Sequence, residues 1–190
     1  MTEPLAVWHA EHVNFARLLD LLEEHVAAFH RGERPNYDLM STILYYMRNF
    51  GDRVHHPRED VAYARLVEQD PGMQLVVNRL LQEHRVIATA GEELLNRLNE
   101  AEGDIMIPRA ALEAATATYL VYYRSHISAE ERDVMPRAAQ LLTQDDWAEV
   151  AATVPASPDP LFGDNVQERF KALRMQIAHE ARVSRQDSTY

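Results

Sequence analysis

The chain has 190 residues, enough for one domain with a small appendage, and 46% of them are hydrophobic, enough to bury a core. It has no cysteine, which excludes disulfides, zinc–thiolate sites, thiolate-ligated iron–sulfur clusters and a thiol nucleophile. Nineteen basic residues face 30 acidic ones, and the net charge of −11 argues against nucleic acid and anionic membranes as partners.

No apolar run approaches the roughly 18 residues of a membrane span. The opening MTEPLAVW lacks the basic and long apolar regions of a signal peptide. With the missing cysteines, this leads to an expected cytoplasmic location. The anomaly is the nine histidines.

Apolar spacing predicts four long helices. Trp8, His12, Phe15, Leu19, Leu22, Val26 and Phe29 repeat at three- and four-residue intervals, the stripe of a bundle helix. Gly32 and Pro35 end it, and Asn36 is placed to cap the next. The second stripe is Met40, Leu44, Met47, Gly51 and His55, continuing past a bend at Pro57 through Ala62 and Leu66. Asp70 and Pro71 then read as N-cap and first residue of a third helix. Its stripe is Met73, Val77, Leu80, His84, Ile87, Gly91, Leu94 and Leu98. Gly103 and Pro108 mark the next break. The fourth stripe holds Leu112, Tyr119, Tyr123, His126, Glu130 and Leu141, with a bend at Pro136. There is no alternating strand pattern and no Gly-rich phosphate loop.

Residues 1–142 therefore read as an all-α, up-down-up-down four-helix bundle. Residues 143–190 read as a helical extension. Thr143 begins a short helix, TQDDWAEV; residues 153–163 are Pro-rich and irregular. A last helix carries Val166, Phe170, Leu173 and Ile177 on one face, expected to pack on the bundle or on a second copy in a homodimer.

One histidine lies on each inward stripe: His12, His55, His84 and His126. The midpoints of successive pairs are 33.5, 69.5 and 105, each at or beside a predicted turn. In an antiparallel bundle, residues equidistant from a turn lie at one height. The four histidines thus share a layer, about 21 residues or roughly 32 Å from one end.

Glu59 and Glu130 follow His55 and His126 at i+4, on the same helix face and about 6 Å away at the β-carbons. Four imidazoles and two carboxylates inside a bundle are costly unless a metal satisfies them. The nitrogen–oxygen set suits iron, manganese or zinc, and six donors exceed one tetrahedral zinc and suit two bridged metals. A single His-x-x-x-Glu is a weak signal; four independent stripes placing a histidine at one height make a strong one. His9, His25, His30 and His179 fall outside the pattern and are expected in solvent. His56, beside His55 and three residues before Glu59, reads as a further ligand or a hydrogen-bonding neighbour of one. Tyr119 and Tyr123 precede His126 on its stripe. They read as core aromatics that could offer a hydroxyl to a bound ligand.

The segments WHAEHVNFARLLDLLE, VHHPRED, LQEHRVI and RSHISAEERDVMP resemble the hemerythrin HHE cation-binding family over about residues 5–140. LTQDDW and DPLFG look like an extension found in a bacterial branch. The resemblance implies a non-haem di-iron centre with His12, His55, Glu59, His84, His126 and Glu130 as ligands and the two glutamates bridging. Oxygen-carrying hemerythrins use one more histidine a turn away on the third helix. Leu80 and Ala88 stand there instead, so His56 is the residue that could fill the gap. No histidine follows a glutamate at three residues, which argues against a ferritin-type centre.

The expected function is binding or sensing of dioxygen, nitric oxide or peroxide, or holding of iron. The alternative is a di-iron oxidase or peroxidase, or an enzyme of nitric-oxide or iron–sulfur stress. A third reading is a structural metal such as zinc.

Overall fold

Each apolar stripe becomes a helical rod. The computed structural model describes residues 3–102, 108–155 and 157–187, and among these there is no strand. Helix α1 runs Glu3–Ala27 and tightens into a 3₁₀ turn, Ala28–Arg31. Gly32, at φ 73°, closes it, its N–H donating to Ala28 and Phe29 carbonyls. A side chain is strained at that φ, so the turn selects glycine.

The second rod is continuous: α2 (Tyr37–Tyr46), a π-helical segment (Met47–His55) and α3 (His56–Gln69). Asn36 caps it, its side chain accepting from the Leu39 N–H at 3.1 Å. Asp70 caps the next turn through the Gly72 N–H. Pro71–Met73 forms one 3₁₀ turn before α4 (Gln74–Glu102) begins, so Pro71 stands one turn ahead of the α-helix predicted to start with it. Gly103, read as a breaker, lies outside the described residues. The fourth rod is α5 (Arg109–Ala129), a π segment (Glu130–Val134) and α6 (Met135–Leu141).

Both bends expected at proline appear as widened turns just before it. A proline has no N–H to give and its ring collides with the carbonyl four residues back, here Arg53 for Pro57 and Arg132 for Pro136. A π turn relieves both problems. It also changes the phase of the second rod. Adjacent residues on an α-helix diverge by about 100°, yet His55 and His56 are both buried, at 1% and 3% exposure.

Two apolar cores form, one on each side of the histidine layer. The first holds Phe15, Leu19, Met40, Ile43, Ile87, Leu94 and Tyr119. The second holds Leu5, Trp8, Ala62, Leu66, Val77, Leu80 and Ala138. Glycine permits close approach beside the layer. A Cβ on Gly51 would stand 2.8 Å from the Tyr123 hydroxyl. One on Gly91 would stand 3.0 Å from the Tyr119 ring.

The extension touches both cores. Thr143 and Asp146 form a capping box that starts α7 (Gln144–Thr153), which packs on α3 and adds Val150 to the second core. Asp159 accepts from the Tyr46 hydroxyl at 2.9 Å and from the Leu161 and Phe162 N–H groups at 2.8 Å. This pins the irregular loop, and Leu161, Phe170, Leu173 and Ile177 enter the first core. Val166 packs there from the loop, ahead of a 3₁₀ turn (Glu168–Phe170) and α8 (Lys171–Asp187), not from the helix predicted to carry it. Among the described residues no helix is long and apolar enough to cross a membrane.

Candidate metal centre

Five histidines and two glutamates from four rods converge between the two cores. α1 supplies His12. The second rod supplies His55, His56 and Glu59, α4 supplies His84, and the fourth rod supplies His126 and Glu130. All are buried, and His84, at 7%, is the most exposed.

The donor atoms form two groups. Atoms of His56, Glu59, His84 and His126 lie within 4.8 Å of one another, and so do atoms of His12, His55 and Glu59. Glu59 belongs to both. Its Oε1 lies 2.7 Å from His55 Nε2 and 3.4 Å from His12 Nε2, while its Oε2 lies 3.3 Å from His84 Nε2. Glu130 spans the groups as well. Its Oε2 is 3.4 Å from His12 Nε2 and 3.3 Å from His126 Nε2, and its Oε1 accepts from the Tyr63 hydroxyl.

Outer carboxylates orient the imidazoles. Nδ1 of His55 is 2.6 Å from Glu11, Nδ1 of His84 is 2.8 Å from Asp60, and Nδ1 of His126 is 3.1 Å from Glu83. Nδ1 of His12 is 3.3 Å from Glu131. Nδ1 of His56 is 3.5 Å from Asp52, and its ring stacks on His84 at 4.1 Å. A carboxylate only accepts, so each of the first four Nδ1 atoms carries the proton and Nε2 turns inward. The arrangement is circular. Glu11 of the first rod holds His55 of the second, Asp60 of the second holds His84 of the third, Glu83 of the third holds His126 of the fourth, and Glu131 of the fourth holds His12 of the first.

Burial sets the electrostatics, and the neighbours decide its outcome. For Glu59, burial pushes the pKa up, but His55, His12 and His84 outweigh it and hold the carboxyl well below its usual range. Glu130 goes the other way, raised well above that range by burial and by the charge of Glu59. His84 is pushed up to about 9, because Asp60 and Glu59 overcome the desolvation that opposes them. His55 is raised, with Glu59 and Glu11 overcoming the same penalty. Burial lowers His56 and His126, with the charge of His84 adding to it.

The donor set fits a cation. The Oε2 atoms of Glu59 and Glu130 are buried and have no hydrogen bond among the described residues, although imidazole nitrogens lie 3.3 Å away. A buried carboxylate oxygen without a partner is costly. Two such oxygens facing several inward Nε2 atoms, with no sulfur, form a hard-to-borderline metal pocket.

The structure brings together all the sequence-derived candidates. His56, left open between two roles, sits inside one donor group. Tyr123 places its hydroxyl 3.5 Å from His56 Nε2, and Tyr119 packs behind it with ring centres 5.6 Å apart. His9 is exposed and pairs with Glu131 at 3.0 Å, and His179 is exposed. His25, expected in solvent, is half-buried, with its Nε2 buried and without a partner among the described residues; burial lowers its pKa. The side chain of His30 lies outside the described residues. Sequence reasoning missed the outer carboxylates. Their one signal is adjacency: Glu11, Asp60, Glu83 and Glu131 each sit next to a member of the buried donor cluster, His12, Glu59, His84 or Glu130.

No curated protein and no solved structure matches the chain. The model of the hemerythrin HHE cation binding domain matches residues 3–138, the four rods that carry every donor described above. The chain belongs to the hemerythrin HHE cation-binding domain family.

Proposed function

We propose that the protein holds two iron ions and binds a small ligand there: dioxygen, nitric oxide or peroxide. The observation that carries this reading is Glu59, which is common to both donor groups. A carboxylate shared by two groups, with Glu130 spanning them from another rod, is what a pair of adjacent metals requires. His12 and His55 would serve one ion. His84 and His126, with His56 as a further donor, would serve the other.

Paired iron supplies reversible electron exchange with small oxygen- and nitrogen-containing ligands. The chain supplies the surroundings. Phe15 packs edge-on to His55 at 4.8 Å between ring centres, and Trp8 and Tyr63 close the opposite side. An aromatic lining packed this closely leaves little room for a bulky substrate. It favours binding or sensing over an oxidase that must admit an organic molecule. The Tyr123 hydroxyl, next to His56, is the group placed to hydrogen-bond a small ligand.

The test is metal content and the visible spectrum of anaerobically purified protein, before and after admission of air. Two irons per chain and new visible absorption in air would bear the reading out. A colourless protein holding zinc would overturn it.

A further inference from the structure

A cavity of about 380 Å³ lies beside the metal centre, between the start of α1 and α7. Its wall is mostly apolar and includes Val7, Trp8, Trp147 and Val150. One basic side chain, Arg58, and one acidic side chain, Glu3, complete it. α7 lies beyond residue 138, so the cavity is built jointly by the family domain and the extension. The size and the apolar lining with few polar groups are those of a small-molecule site.

Arg58 is the organising group. It is mostly buried and held from two sides. Its Nε donates to the Val54 carbonyl at 3.1 Å, and its Nη2 donates to both oxygens of Glu11 at 2.8 Å. These bonds fix the guanidinium plane, and among the described residues Nη1 has no hydrogen-bond partner. Glu3 stands exposed in the first turn of α1, where water screens its charge. A fixed, poorly hydrated guanidinium in an apolar wall recognises a carboxylate. The indole N–H groups of Trp8 and Trp147 have no acceptor among the described residues.

We infer that this cavity is a binding site for a small apolar carboxylic acid, its carboxylate on Arg58 and its apolar body between Trp8 and Trp147. It is separate from the metal donors. Trp8 stands between the cavity and His55, 6.4 Å from that ring, and the inference holds whichever cation the centre carries.

The two indoles are the chain's only tryptophans, so intrinsic emission reports the site directly. The metal-loaded full chain would be titrated with 4-phenylbutyrate, 4-phenylbutanol and 4-phenylbutylamine. The acid should give a saturable change in tryptophan emission and bind about tenfold more tightly than the alcohol. The amine should bind no better than the alcohol. Arg58→Met should erase the preference for the acid. Ala151→Phe adds a ring to the cavity wall from α7 and keeps the Arg58 side chain, and it should abolish binding of all three. Equal binding of acid and alcohol by the parent chain would overturn the assignment. So would tighter binding of the amine, the absence of saturable change with any probe, or undiminished binding in Ala151→Phe.

Discussion

Nε2 of His84 and Nε2 of His126 face each other at 3.0 Å. Each ring already gives its Nδ1 proton to a carboxylate, Asp60 and Glu83 respectively. His84 is held to about 9 and His126 is pushed below its ordinary value. In the metal-free chain one proton therefore sits between the two rings, donated by His84 and accepted by His126. A metal ion entering this group must take the place of that proton.

Metal uptake near pH 7 should accordingly release protons, at least two per chain. His84 gives one, and the raised pKa values of His55 and Glu130 supply the rest. Calorimetric titration in buffers of differing ionisation enthalpy counts them. Zero net release would show that the imidazoles were already free of protons.

The same shift predicts a pH dependence of the metal-free fold. The folded-state pKa of His84, about 9, lies above its ordinary 6.5. Its contribution is thus complete below pH 6.5 and is lost as pH rises toward 9. Urea midpoints of the metal-free chain should fall over that window. In His84→Gln the fall should be smaller, the remainder coming from the raised His55 and Glu130.

His84→Ala should reduce bound metal, from the two ions proposed to one or none, since its Nε2 lies 3.3 Å from Glu59 and 3.0 Å from His126. His9→Ala should leave the metal content unchanged, because His9 is an exposed side chain paired to Glu131. Elemental analysis of both purified variants decides the matter. Two ions retained in His84→Ala would remove His84 from the centre.

Glu83→Ala should weaken metal affinity by roughly 10–100-fold without removing a donor to the metal. Of the donor histidines the carboxylate pairs with His126 alone, at Nδ1, its other partner being Arg79 at 3.5 Å, and its loss frees the ring to turn and to change tautomer. Chelator competition measures the change. An affinity within about threefold of the parent would mean that packing alone orients His126.

Gly51→Ala should destabilise the metal-free fold by about 1–3 kcal/mol, since the new methyl meets the Tyr123 hydroxyl at 2.8 Å. Adding Tyr123→Phe removes the colliding oxygen and should restore most of the loss. Equilibrium unfolding of the single and double variants tests the pair.

The histidine layer was legible because its members occupy core positions. His12, His55, His84 and His126 interrupt otherwise apolar stripes, and symmetry about the turns sets their height. His56 was ambiguous because adjacency on an α-helix sends two side chains to different faces. The π segment Met47–His55 overrides that geometry, and no apolar spacing announces it. The outer carboxylates stayed hidden for another reason. Glu11, Asp60, Glu83 and Glu131 lie one position off the stripe, where an acid ordinarily faces solvent. Their partners stand on a different rod, and no spacing within one helix reveals a contact between two.

The circular order of carboxylates and imidazoles also fixes how the rods sit along their axes. Sliding one rod by a single turn, about 5.4 Å, withdraws its own donor from the centre. It also strips the carboxylate from the histidine of the next rod. Apolar stripes with a near-uniform three-to-four spacing tolerate such a slip, because leucine replaces leucine. The polar ring does not. It works as a vernier on an otherwise slippery bundle: only one axial alignment of the four rods closes every pair at once.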